Sequence, residues 1–210
     1  MLRVIGGSAR GRKLKGPPAR RTVRRPAPEV TRTVLQAETR PTSDLIRGVI
    51  FDMLDAMGAD YERVLDLYAG TGALGIEALS RGEGMADFVE RDARAAAVIR
   101  DNLRSCGFES RAVVHRLTTE RAIQRLAESG PYTLILADPP YYDEGAPEAV
   151  QAVAASPLTG PKTVLVYEHH RRTPPPTALG PLPLYRTRRH GDSVVSIYAV
   201  AGRPEGEELQ

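Results

Sequence analysis

From Arg63 to Glu168 the chain alternates short apolar runs with helical patterns, and this rhythm constrains the fold more than any other feature. "VLDLYA" reads as a strand, and "TGALGIEALSRG" as a helix that Gly82 ends. "MADFVE" is a second strand, followed by a helix over "ARAAAVIRDNLRSCG" that Gly107 stops. "RAVVHR", "YTLILA" and "TVLVYE" are three more strands. The helices between them cover "TTERAIQRLAES", with a threonine available as its cap, and "PEAVQAVAAS". Near-continuous apolar strands alternating with helices belong in a parallel sheet covered on both faces. Two last strands, near "PLYRTRRH" and "SVVSIYAV", turn at "HGDS" and form an antiparallel edge hairpin. The expected fold is α/β: a doubly wound, mostly parallel, seven-stranded, Rossmann-like sheet.

Before this core, Leu45, Ile46, Val49, Ile50, Met53 and Leu54 recur at helical spacing, with Thr42 or Ser43 as a cap. Earlier still, "LRVIGG" and "RKLKG" predict a small basic β-hairpin, and 17–38, rich in Pro and Arg, has no period and reads as loop or irregular ribbon. "TPPPTALGPLP" reads as a Pro-rich surface connection, and "GRPEGEELQ" as a fraying end. The expected division is a basic arm (1–41), an α/β core (42–201) and a tail (202–210).

Charge is divided unevenly between these parts. Of 29 Lys and Arg, 11 fall in residues 1–40; of 26 Asp and Glu, only 2 do. A basic arm on a mildly acidic body points to a polyanionic partner, most often nucleic acid; a solvated tail is the plainer alternative. The single cysteine, Cys106, has no internal partner for a disulfide and reads as a packing residue. No apolar run approaches membrane-spanning length, and "MLRVIGGSARGRKLKG" lacks the apolar centre of a signal peptide. A cytoplasmic protein with no membrane partner is expected.

Gly70-x-Gly72-x-x-Gly75 lies between a strand and a helix, and Glu90 ends the next strand twenty positions past Gly70. This spacing fits a dinucleotide-binding fingerprint, in which glycines admit a close ligand and the acid binds ribose hydroxyls. A nicotinamide dehydrogenase competes on that ground, and a plain tight turn is the structural alternative. Asp66, four residues before Gly70, tilts the choice. Its charge repels a pyrophosphate but suits S-adenosylmethionine, which carries a sulfonium and an ammonium.

"ADPPYY" ends the fourth strand (137–142). Two prolines stop the strand and remove two N–H donors, leaving a rigid turn of acceptors. Asp138 and the Pro139 carbonyl can each accept one hydrogen of a base –NH2, and Tyr141 can stack on the base. In an open α/β sheet ligands sit beyond the carboxyl ends of the strands, near the switch in strand order. The first and fourth strands are expected as neighbours there, so the glycine loop and the Pro-Pro turn share one crevice. Pro-Pro as a mere strand stop, with packed tyrosines, is the alternative.

With "LDLYAGTGALGIEALSRG", "FVERD" and "DPPY" in that order, preceded by "RVIGGSARGRKL" and "TRPTSD", the sequence resembles the bacterial small-subunit ribosomal RNA guanine-N2 methyltransferases. The resemblance covers about residues 2–16 and 39–200. It implies a class I methyltransferase fold, S-adenosylmethionine as methyl donor and no metal. It also implies 16S rRNA as substrate (guanine 966 in that family), met in an assembling 30S subunit with its ribosomal proteins by a monomeric enzyme. Carried over by motif, Asp66, Gly70 and Gly72 hold the methionine end and Glu90 the ribose, and Asp138, Pro139 and Tyr141 hold the guanine; Tyr68 is a further cofactor-binding candidate and Pro140 a further catalytic one. Segment 17–38 looks longer than the family's usual link. "HRLTTE" stands where the family often has an acid for the adenine amine, so that contact is unassigned.

Arg10, Arg12, Lys13 and Lys15 are candidates for RNA phosphates, and Arg40, before Pro41 and Thr42, for the lip of the site. Arg171, Arg172, Arg186, Arg188 and Arg189 form either a second basic surface or a solvated face. Glu168-His169-His170 with His190 suggests a metal only weakly, because adjacent strand residues face opposite ways. An adenine-N6 DNA methyltransferase and a catalytically dead RNA-binding module complete the alternatives.

Overall fold

The computed structural model describes residues 2–17 and 44–200. The expected boundary at 41/42, Arg40, most of segment 17–38 and the tail 202–210 lie outside the described residues. Helix α1 (Asp44–Ala56) leads into β1 (Arg63–Leu67), α2 (Ala73–Arg81), β2 (Met85–Val89), α3 (Ala93–Cys106) and β3 (Ala112–His115). The alternation continues with α4 (Thr119–Arg125), β4 (Leu134–Ala137), α5 (Ala146–Ala154) and β5 (Val164–His170). Strands β6 (Ala178–Leu179), β7 (Leu182–His190) and β8 (Ser193–Ala199) follow.

The strand order is β3-β2-β1-β4-β5-β8-β7-β6. Neighbours from β3 to β5 run parallel, and β8, β7 and β6 each run antiparallel to the strand before them in that order. Among the described residues the sheet therefore has eight strands where seven are expected. The extra one lies in the Pro-rich connection: Leu179 and Leu182 are buried, and Gly180 reverses the chain between them at φ 53°. Two leucines gain enough by burial to draw this piece of connection onto the sheet edge. The helix expected over "TTERAIQRLAES" also breaks. It ends at Arg125, a 3-10 turn covers Ala127–Ser129, and the Thr118 side chain makes no cap bond.

Strand residues alternate between two apolar layers, as a period of two requires. Leu134 and Leu136 pack with Ile50, Leu79 and Ile99 on the face of α1, α2 and α3. Ile135 and Ala137 pack with Val150 and Ala122 on the face of α4 and α5. Because α2 follows β1 onto one face and α5 follows β4 onto the other, the carboxyl ends of β1 and β4 open a crevice between them.

The amino-terminal hairpin closes around one antiparallel bridge, Arg3 to Lys13, and is docked on α2 rather than standing apart. Glu77 of α2 is fully buried, and its two carboxylate oxygens accept the N–H groups of Ile5 at 2.8 Å and Gly6 at 2.7 Å. Ser80 adds bonds to Gly6 and Ala9. Val4, Ala9 and Leu14 enter the same apolar layer as α1 and α2. Gly7 sits at φ 70° with its α-carbon so close to Ser80 that a Cβ would lie 1.8 Å from the carbonyl oxygen; only glycine fits.

Candidate active site

At the carboxyl end of β1 the chain turns through Tyr68 (φ 58°), Gly70 (φ 55°) and Gly72 (φ 77°). Tyr68 is the one non-glycine residue with a left-handed backbone among the described residues, a costly conformation kept where the surroundings enforce it. Gly72 starts α2 and lies under the loop against Ile99 and Ile76. Glu90, at the end of β2, braces the loop from the side. One carboxylate oxygen accepts Gly70 N–H at 2.9 Å and the other accepts Asp92 N–H at 2.7 Å. Each oxygen keeps a second lone pair with which to receive a hydroxyl. Asp92 in turn caps α3 by accepting from Arg94 and Ala95, and the Ala95 N–H first among those contacts lowers its pKa.

Asp66 lies one level down, 1 % exposed, and its Oδ2 accepts Gly75 N–H at 2.8 Å. Burial pushes its carboxyl up from 3.8 to about 7, with the charge of Glu90 adding to the rise and the Gly75 N–H opposing it. Asp66 is thus a carboxyl poised between its two forms near neutrality. Gly75 is required here: a Cβ would meet the Phe88 ring at 2.4 Å and Asp66 Oδ2 at 3.0 Å.

The β1/β4 pairing expected from sequence is present, with Leu67 opposite Ala137 and Ala137 opposite Tyr167. One step beyond this register lie Tyr68, Asp138 and Glu168, the first two just past the ends of β1 and β4 and the third still within β5. Pro139 and Pro140 then turn the chain into Tyr141. The Tyr141 ring is half exposed. Its hydroxyl donates to Glu168 Oε1 at 3.1 Å and bonds the Ser193 hydroxyl, and His170 meets the ring edge-on at 5.4 Å. Burial raises the Tyr141 phenol further out of the physiological range, so it acts here as a neutral hydrogen-bonding group.

A single cleft of about 1540 Å³ is lined by Asp66, Tyr68, Gly70, Glu90, Asp138, Pro139, Pro140 and Tyr141. Gly72 supports it from below without lining it. Three further walls were left unassigned or read otherwise from sequence: Leu117 to Glu120 after β3, in the segment left open for the adenine; Glu168, His170 and Arg171 in β5 and just past it; and Arg189 to Ser193 at the β7–β8 turn. Glu168 was legible in principle, since "TVLVYE" ends an apolar strand in an acid just as "YTLILAD" does. Of the metal candidates, His169 turns inward and bonds Ser196 at 2.9 Å while His170 faces Tyr141, so the two rings diverge.

Among the basic candidates, Arg10, Arg12 and Lys13 are exposed on the hairpin and do not line the cleft. Lys15 is already paired with Asp101 at 2.6 Å. Arg171, at the cleft, pairs with Asp192 at 2.9 Å. Asp66, Glu90, Asp138 and Glu168 together make the floor rich in carboxylates, a setting that favours a cationic ligand over a pyrophosphate.

This fold and cleft define a class I methyltransferase of the Rossmann-like type. The family model described as conserved hypothetical protein 95 matches residues 32–199, and the chain belongs to that family. It is 34 % identical over 203 residues to YlbH of Bacillus subtilis, whose name marks it as a candidate rRNA methyltransferase; the match spans 96 % of this chain and all of the relative. It is 27 % identical over 207 residues to ribosomal RNA small subunit methyltransferase D of Escherichia coli K12, spanning 98 % of this chain and 93 % of the relative. A solved candidate methyltransferase of Escherichia coli, yhhF, superposes with a TM-score of 0.73 at 26 % identity, over 95 % of this chain and 99 % of that one.

Proposed function

We propose that the protein transfers a methyl group from S-adenosylmethionine to the exocyclic N2 of a guanine in 16S ribosomal RNA. The observation that carries this reading is the shared cleft: the glycine turn with Glu90 and the Asp138–Tyr141 turn face one cavity. The relatives named for rRNA methyl transfer support the substrate class. S-adenosylmethionine supplies an electrophilic methyl on a sulfonium and leaves as the uncharged thioether.

In this arrangement Asp66 and the Gly70 turn receive the methionine end, and Glu90 receives the ribose hydroxyls. Leu117 to Glu120 border the space left for the adenine. The guanine amine is a weak nucleophile because its lone pair is delocalised into the ring. Asp138 and the Pro139 carbonyl accept its two hydrogens, which draws the lone pair onto nitrogen and aims it at the methyl carbon. The new N–C bond forms as the C–S bond breaks, and the amine's surplus proton passes to Asp138 or to water. Positioning is the largest contribution, since well-oriented reactants gain roughly 7–11 kcal/mol. The base must be out of its stack to enter, so an unpaired or extruded nucleotide in an assembling 30S particle, among its ribosomal proteins, is the expected substrate. Guanine 966 is the first candidate. Arg10, Arg12 and Lys13 on the docked hairpin hold flanking phosphates.

The test is methylation of 16S rRNA, naked and in 30S particles, followed by mass spectrometry of the nucleosides. N2-methylguanosine at one site is the expected product. N6-methyladenosine, or no product with either substrate, overturns the reading.

A further inference from the structure

We infer that Glu168 is the residue that selects guanine, its free carboxylate oxygen accepting the N1–H of the target base; this rests on the guanine reading above. Glu168 lies in β5, one step past the last residue that pairs with β4, and is only 4 % exposed, yet it lines the cleft. Its two oxygens are used unequally. Oε1 accepts the Tyr141 hydroxyl at 3.1 Å, whereas Oε2 is buried with no hydrogen-bond partner among the described residues. A buried carboxylate oxygen without a donor is costly, and such orphans call for an explanation such as a ligand.

The donor it awaits follows from its neighbours. Asp138 and Glu168 occupy adjacent places one step past the paired ends of β4 and β5, where strands lie about 4.8 Å apart. Their side chains fall on the same face of the sheet, because both continue the parity of Leu136 and Val166, which share one apolar layer. A base whose amine is held at Asp138 and the Pro139 carbonyl turns its next Watson–Crick atom toward Glu168. In guanine that atom is N1–H, a donor. In adenine the ring nitrogen beside the amine carries a lone pair instead, and a carboxylate facing it is repelled. Burial pushes the Glu168 carboxyl up, with the Ser193 and Tyr141 hydroxyls opposing the shift; a donor at Oε2 adds to their side. Glu168 therefore does two things: it steadies Tyr141 with one oxygen and reads the base with the other.

The variant Glu168→Gln separates the two roles. Its amide oxygen keeps the Tyr141 bond, and its NH2 turns the orphan acceptor into a donor. The substrates are 16S rRNA, or 30S particles rebuilt from it, carrying guanosine or 2-aminopurine ribonucleoside at the target. Both bases have the N2 amine, but 2-aminopurine has a bare N1. The wild type is expected to prefer guanosine in kcat/KM, and Glu168→Gln to lower that preference by at least about tenfold, the scale of one mispaired buried hydrogen bond. The loss of the guanine O6 is common to both enzymes and cancels in the comparison. If the variant slows both substrates by the same factor, Glu168 only positions Tyr141 and the assignment fails. If the wild type makes no N2-methyl product on guanosine RNA, the guanine reading itself fails. Should the variant turn over neither substrate, binding of target-site inosine against purine ribonucleoside, with S-adenosylhomocysteine present, decides. Wild-type preference for inosine that the variant lacks supports the assignment, and an equal preference in both overturns it.

Discussion

Asp66 Oδ2 accepts the N–H of Gly75 at 2.8 Å, tying the middle of β1 to the first turn of α2 across nine residues. This bond joins the strand to α2, whose first residues Ala73 and Leu74 line the cleft, and it holds a carboxyl that burial has raised to about 7. Between the ordinary value and the raised one, the folded protein binds a proton that the unfolded chain has released. The group's contribution to stability therefore falls as pH rises from about 4 to 7.

The ligand inverts that dependence. An ammonium beside Asp66 favours the ionised form, so S-adenosylhomocysteine should bind with proton release and weaken as pH drops below about 7, by up to about tenfold per pH unit. Calorimetry across this range checks it. Asp66→Asn should bind weakly with a flat pH profile, and a flat profile in the wild type would show that the ammonium sits elsewhere.

Gly75→Ala should destabilise the protein by about 1–3 kcal/mol, because the new methyl collides with the fully buried Phe88 ring. Gly48→Ala on α1 is the control: among the described residues nothing lies within 4 Å of its Cβ, and about 0.5–1 kcal/mol of stabilisation is expected. Urea unfolding of the two variants measures both signs.

Removing the exposed charges of the hairpin should weaken RNA binding without touching the methyl donor. Arg10→Ala, Arg12→Ala and Lys13→Ala should each reduce the slope of log affinity against log salt by about 1. Lys15→Ala should change it less, since Asp101 already serves as its counter-ion at 2.6 Å. Filter binding over a salt series distinguishes the four. Equal effects would mean that Lys15 leaves Asp101 on binding RNA.

The alternation of strands and helices was legible because buried parallel strands are apolar on both faces, and "VLDLYA" or "YTLILA" has no other comfortable place. The glycine loop and the Pro-Pro turn were legible because their backbone demands are local. What sequence hides is pairing at a distance. Glu77 reads as an ordinary helix charge, yet it is fully buried and receives two N–H groups from residues more than seventy positions earlier. Lys15 reads as a free phosphate contact until Asp101, eighty-six positions on, is brought beside it. Strand β6 is two residues long, too short for any period, and only the burial of Leu179 marks it. Glu168 is a lone acid whose meaning comes from β4 and β8 on either side.

The account stands on a methyl donor and an unstacked guanine sharing one cleft, with Asp138 acting on the base alone. Methyl transfer and S-adenosylhomocysteine affinity measured together on Asp138→Ala test this most directly. Transfer should fall by at least about a hundredfold, the scale for a positioned group at the reacting atom, while affinity stays within about twofold of wild type. Undiminished transfer, or loss of cofactor binding in step with transfer, would contradict it.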